Sequence, residues 1–100
     1  MPVRYPEYPE YQVKISSANV RRVRRLLADI KTQRKRSGCN QRDFWRRFGL
    51  TQSGGSRYER GRTLPRCVQI LLALEALGDV EEAQMIEVAR LIELVDLSEA

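Results

Sequence analysis

The chain has 100 residues, 42% hydrophobic and 31% charged, with 18 Lys/Arg, 13 Asp/Glu and no histidine. That length fits one compact domain with small appendages, and with aromatics at only 7% its core must be mostly aliphatic. No apolar run can span a bilayer, the first ten residues lack the apolar stretch of a secretory signal, and Cys39 and Cys67, 28 positions apart, leave zinc short of ligands. A cytoplasmic protein without metal or cofactor is therefore expected, its two thiols unpaired in a reducing compartment.

Charge is divided unevenly. Residues 1–66 hold 17 basic and 5 acidic side chains, net +12, whereas residues 67–100 hold 1 basic and 8 acidic, net −7. A positive field confined to one part of the chain supplies sequence-independent affinity for nucleic acid, because each neutralised phosphate releases counterions. Solvated basic faces would have the same composition.

Residues 1–16 read as an irregular N-terminal arm. Prolines at 2, 6 and 9 oppose helix, and tyrosines at 5, 8 and 11 match the three-residue repeat of polyproline II. Val13 and Ile15 alternate with polar residues as a short strand would. The arm is either a free terminus or a segment that packs on a partner subunit.

Residues 17–79 read as the main domain. Ser16 or Ser17 caps a helix carrying Val20, Val23, Leu27 and Ile30 as one stripe, and the spacing predicts that it continues to a left-handed cap at Gly38. Arg21, Arg22, Arg24, Arg25 and Arg34-Lys35-Arg36 cover its other faces, some of them suited to phosphates. Asn40 caps a second helix with Phe44, Trp45 and Phe48 inward and Arg42, Arg46 and Arg47 outward. Gly49 permits a tight turn, and Thr51 caps a third helix ending at Gly61. Pro65 opens a fourth, with Val68, Leu71, Leu72 and residues 74–77 as core, closed by Gly78.

Residues 80–100 form a last helical run, which Asp79 and Glu82 would start as a capping box. Met85, Val88, Ile92 and Val95, widened by Ile86, Leu91 and Leu94, exceed what a lone terminal helix hides. Either a subunit interface or folding back onto the bundle would cover them.

Two short helices around Phe48-Gly49-Leu50-Thr51 have the layout of a helix-turn-helix. Gln41, Gly49, Thr51-Gln52-Ser53, Ser56-Arg57, Glu59-x-Gly61 and Pro65 resemble the Xre-type helix-turn-helix of the lambda-repressor and Cro family over residues 26–79, about half the chain. The resemblance implies an all-α, lambda-repressor-like bundle of about five helices with a central helix-turn-helix. It also implies that Gln52, Ser53, Ser56 and Arg57 read base edges of double-stranded DNA. The chemistry agrees: glutamine pairs with adenine, arginine with guanine, and serine with either. Asn40 and Gln41 correspond to the family's phosphate clamp at a helix N-terminus. Arg60, Arg62 and Arg66 are further candidates for phosphate, whereas Glu59 would hold a neighbouring arginine or loop N–H.

The pattern departs at Gly54-Gly55, where the family usually has an apolar residue at the second position. Two interior glycines cost about 1 kcal/mol each relative to alanine. The helix either lies close to another backbone or to DNA, or stays loose until DNA orders it; otherwise the segment is a plain Gly-Ser loop.

No nucleophile with a base and no phosphate-cradling loop is visible, so an enzyme is not expected. The expected function is a small regulator, a repressor binding as a homodimer to a palindrome. Alternatives are an antitoxin that binds a toxin through its acidic C-terminal run and represses its own operon, or an interaction module that no longer binds DNA.

Overall fold

Residues 16–98 are described by a computed structural model, in which side-chain caps set the starts of most helices. The elements are α1 (Ser17–Ala28), α2 (Ile30–Ser37), α3 (Gln41–Arg46), α4 (Gln52–Glu59), α5 (Arg66–Ala76) and α6 (Glu82–Ser98). The described residues are all-α, as the sequence predicts. The tyrosine-bearing arm and the short strand at Val13–Ile15 lie outside the described residues.

Four helices begin with the same device, a side-chain oxygen accepting the backbone N–H three residues on. Ser16 Oγ accepts from Asn19 at 3.1 Å, Asp29 Oδ1 from Thr32 at 3.2 Å, Asn40 Oδ1 from Asp43 at 2.8 Å and Thr51 Oγ1 from Gly54 at 3.0 Å. The cap at Asp29 corrects the long first helix, which is two helices. Asp29 adopts φ −148° and ψ 74°, and its carboxylate also accepts the Thr32 hydroxyl at 2.7 Å. The Thr32 hydroxyl, then the Thr32 N–H, hold the Asp29 carboxyl below its ordinary range. The break raises the count from about five helices to six and rephases the apolar stripe. Leu26 and Ile30 are buried, whereas Val20 is 48% exposed. At α6 the reach-back is made by Gln84, whose Oε1 accepts from the N–H of Glu81 at 2.8 Å, so the helix starts at Glu82 rather than directly after Asp79.

The core unites Leu26, Ile30, Phe44, Trp45, Phe48, Leu64, Val68 and Leu72. Phe44, Trp45 and Phe48 are buried as their spacing predicts. Phe44 meets Trp45 and Phe48 edge-on at 5.1 and 5.8 Å between ring centroids. Arg47 is not outward: it is 5% exposed and pairs with Glu75 of α5 at 2.6 Å. Its guanidinium lies 4.2 Å from the Phe44 centroid, so one side chain satisfies a carboxylate and an aromatic face together. Leu64, in the loop before α5, is a core residue that periodicity could not reveal.

Gly55 is the close approach of the fold. It is buried, and a Cβ built on it would overlap Cγ and Cδ1 of Trp45. The indole therefore occupies the volume that an apolar side chain of α4 would otherwise fill. The neighbour is a side chain of α3, rather than a backbone or DNA, and α4 is a formed helix rather than a Gly-Ser loop. Gly54 is less constrained, since its Cβ would meet only Thr51 Oγ1, at 3.2 Å.

Gly55→Ala is expected to destabilise the fold by about 1–3 kcal/mol through overpacking, although alanine is the better helix former. Urea unfolding followed by the fluorescence of Trp45, the single tryptophan, measures this. A stabilised Gly55→Ala would show that the indole does not set the residue at this position.

Candidate nucleic-acid interface

The turn between α3 and α4 is short and tied back to α3 by three backbone bonds. Phe48 and Leu50 N–H both donate to Trp45 O at 3.1 Å, and Gly49 N–H donates to Arg46 O at 2.9 Å. Gly49 has φ 76°, the left-handed conformation that side chains disfavour. Leu50 packs against the core, and Thr51 then restarts the helix. With Gly55 seated on Trp45 and Tyr58 also packed inward, the other side of α4 is left to solvent.

That outer side carries the sequence-predicted readers. Gln52, Ser53 and Arg57 are exposed and Ser56 is half-buried. Together with Gln41 and Arg60 they line one shallow hollow of about 350 Å³, and no carboxylate lines it. The four base-reading candidates thus share a surface with two of the five phosphate candidates. Asn40 precedes Gln41 and is engaged as the α3 cap. Arg62 lies in a separate hollow with Asp29, Tyr58 and Thr63. Arg66 is exposed and donates to Gln69 Oε1 at 3.2 Å within α5.

Behind this surface sits a buried carboxylate. Glu59, its side chain 1% exposed, accepts from Arg34 Nε at 2.8 Å and Nη2 at 3.0 Å. It also accepts from Trp45 Nε1 at 2.7 Å and from Gln41 Nε2 at 3.3 Å. Burial pushes the Glu59 carboxyl upward, but hydrogen bonds from Arg34, Trp45 and Gln41 outweigh it, and the group stays below the ordinary carboxylate range. Arg34 completes its own set by donating from Nη1 to Cys39 O at 3.0 Å.

The expectation that Glu59 holds a neighbouring arginine names the right kind of partner. Arg34 itself, grouped by sequence with the surface cations of the first helix, is 9% exposed and structural. The engagement of Gln41 and Trp45 is an addition. A usable signal existed: a core tryptophan N–H needs an acceptor, and Glu59 is the single carboxylate between Asp43 and Glu75. One consequence reaches the outer surface, because the amide of Gln41 is held in place by the last residue of α4.

Residues 31–75 match the family model described as an RsaL-like HTH domain. The match spans nearly all of α2, the helix-turn-helix and most of α5. It places the chain's helix-turn-helix among DNA-binding domains, with DNA the partner such a domain implies, and it does not single out the Xre type. Comparison with curated proteins and comparison with solved structures give no match. No helix among the described residues is long and apolar enough to cross a membrane.

Glu59→Gln is expected to lower stability by about 3–5 kcal/mol, since it strips a buried arginine of its counter-charge. The wild-type contribution has a definite pH sign. A carboxyl held low in the folded state stabilises fully above its unfolded pKa, and that stability is lost as pH falls through the folded pKa. Denaturant unfolding at neutral pH and in acid should therefore show the two proteins converging in acid. A gap that persists unchanged would assign the loss to shape rather than charge.

Proposed function

We propose that the protein is a sequence-specific double-stranded DNA-binding transcriptional regulator of the Xre type, a cytoplasmic repressor acting as a homodimer without catalytic chemistry. The observation that supports this most is the acid-free hollow on which Gln52, Ser53, Ser56 and Arg57 of α4 converge with Gln41 and Arg60. In this reading α4 enters the major groove. Arg57 pairs with guanine O6 and N7, Gln52 with adenine N6 and N7, and the two serines adjust to either base. Asn40 and Gln41, at the start of α3, hold a backbone phosphate where helix N–H groups face it. Arg60, Arg62 and Arg66 extend the phosphate track along the following loop.

Two copies would address half-sites about 34 Å apart, one helical turn, so the operator would be a palindrome. Repression would then follow from occupying a promoter.

An antitoxin that represses its own operon is the alternative favoured by one observation: several large aliphatic side chains of α6 stand uncovered. A fold that has lost DNA binding would be supported by the departure of Gly54-Gly55 from the family pattern. The indole of Trp45 accounts for Gly55 through packing, which removes the stronger half of that support.

Arg57→Ala is expected to relax base preference at one operator position and to cost about 1–3 kcal/mol on the specific site. Binding to a panel of single-position operator variants measures it, and uniform weakening on every sequence would remove Arg57 from the base-reading set. Arg62→Ala should instead flatten the salt dependence, lowering the slope of log K against log salt by about one contact's worth, roughly 0.9. Titrations across a salt series check this; an unaltered slope would place Arg62 away from phosphate.

A further inference from the structure

We infer that one row of cations on α1 and α2, Arg21, Arg24, Lys31 and Lys35, is a second DNA surface that docks on the sugar-phosphate backbone. It rests on the proposed function for duplex DNA as its partner, but it reads no bases and needs none of the outward side chains of α4.

Residues 17–36 hold eight Lys/Arg and a single acid, Asp29. Arg34 is engaged inside the fold by Glu59. Both carboxylate oxygens of Asp29 are engaged by the cap, accepting the N–H and the hydroxyl of Thr32. The other seven cations are exposed, and none of them is in an ion pair with another described residue. Arg46 and Arg47 of α3 make the contrast, since carboxylates of α5 and α6 neutralise them.

Helical spacing divides these cations between two sides. Leu27 and Ala28, at the end of α1, line a hollow with Tyr58, Gly61 and Arg62. Arg24 precedes them by three and four positions, and Arg21 precedes Arg24 by three, so both share that side of α1. Arg22 and Arg25 turn the other way, to a hollow with Arg36 and Ala76 that no residue of α4 lines. On α2, Gln33 and Ser37 face the turn between α5 and α6. Lys31 and Lys35 therefore take the opposite flank, next to the Arg34 that reaches Glu59 at the end of α4.

Continuity with the hollow on α4 selects the partner. The first row adjoins the loop carrying Arg62 and the end of α4, whose outward side bears Arg57 and Arg60. A basic track thus runs from α4 through that loop onto the junction of α1 and α2. A duplex presents one negative charge per roughly 1.7 Å of its axis, a regular line of anions for such a track to follow. Arg21 and Arg24 precede residues 31–75, so the family match assigns them nothing.

Titration of the full chain with a random-sequence duplex about three helical turns long, across a salt series, tests the inference. Arg21→Ala/Arg24→Ala is compared with Arg22→Ala/Arg25→Ala, which removes the same charge from the other side of α1. The first pair should lower the slope of log K against log salt by about 1.8, two contacts of roughly 0.9 each, and the second should leave it at the wild-type value. Equal falls would assign the effect to the general field, and an unaltered slope in the first pair would make the row a solvated face; either overturns the inference. So does polyglutamate binding to the row as tightly as duplex at equal charge, which would make the partner an acidic polypeptide. Trp45 fluorescence reports folding, and if the first pair unfolds, Lys31→Ala/Lys35→Ala carries the comparison. Random-sequence duplex requires no base reading, so the two claims separate. A wild type without sequence preference, whose slope still depends on Arg21 and Arg24, keeps this surface and removes reading by α4. A base preference that Arg57→Ala relaxes, with a slope indifferent to Arg21 and Arg24, does the reverse. A wild type that ignores duplex at every salt concentration removes both.

Discussion

Burying the carboxylate of Glu59 constrains the outer surface of α4 more than any other interaction. An ionised carboxylate inside a small fold costs several kcal/mol unless charge and hydrogen bonds surround it. Here the partners come from two other helices: Arg34 from α2, and Gln41 and Trp45 from α3. Glu59 ends α4, so satisfying it fixes where α4 lies on α3. The indole that donates to Glu59 is also the one that occupies the space above Gly55. A larger residue at 55 and a misplaced α4 are thus opposed by one arrangement. What remains outward on α4 is Gln52, Ser53, Ser56 and Arg57, beside a Gln41 whose amide is anchored from beneath.

The uneven charge of the chain serves two purposes. Arg46 and Arg47 belong to the basic portion and bind Glu93, Glu75 and Glu82 of the acidic portion, so part of the polarity is cohesion between helices. Arg34 is neutralised within the basic portion by Glu59. The field available to a phosphate backbone comes from the arginines left exposed, Arg57, Arg60 and Arg62 among them. Drawing the acids of α5 and α6 toward α3 leaves the hollow on α4 without a carboxylate.

Local signals were the most legible part of the chain. Ser16, Asn40 and Thr51 could be read as caps because the acceptor and the N–H it serves lie three residues apart. The aromatic cluster of α3 and the turn at Gly49 were legible for the same reason, since neighbours in sequence are neighbours in space. Asp29 carried a cap signal too, but the apolar stripe ran across it and favoured a continuous helix. Long-range pairings were not legible. Arg34 and Arg47 look like surface cations until carboxylates 25 and 28 positions away are placed beside them. Gly54-Gly55 was visible as an irregularity, yet the cause of Gly55 sits ten residues earlier as the shape of Trp45. For α6 the apolar excess could be read, whereas which side the bundle covers depended on where Arg46 and Arg47 hold Glu93 and Glu82.

The central claim is that the hollow on α4 reads duplex sequence. Selection of bound duplexes from a random library, carried out with the full chain at low and at moderate salt, tests it most directly. The expected result is an enriched motif with two-fold symmetry, its half-sites about one helical turn apart and carrying guanine and adenine positions suited to Arg57 and Gln52. Recovery of unenriched sequence at both salt concentrations would contradict the claim.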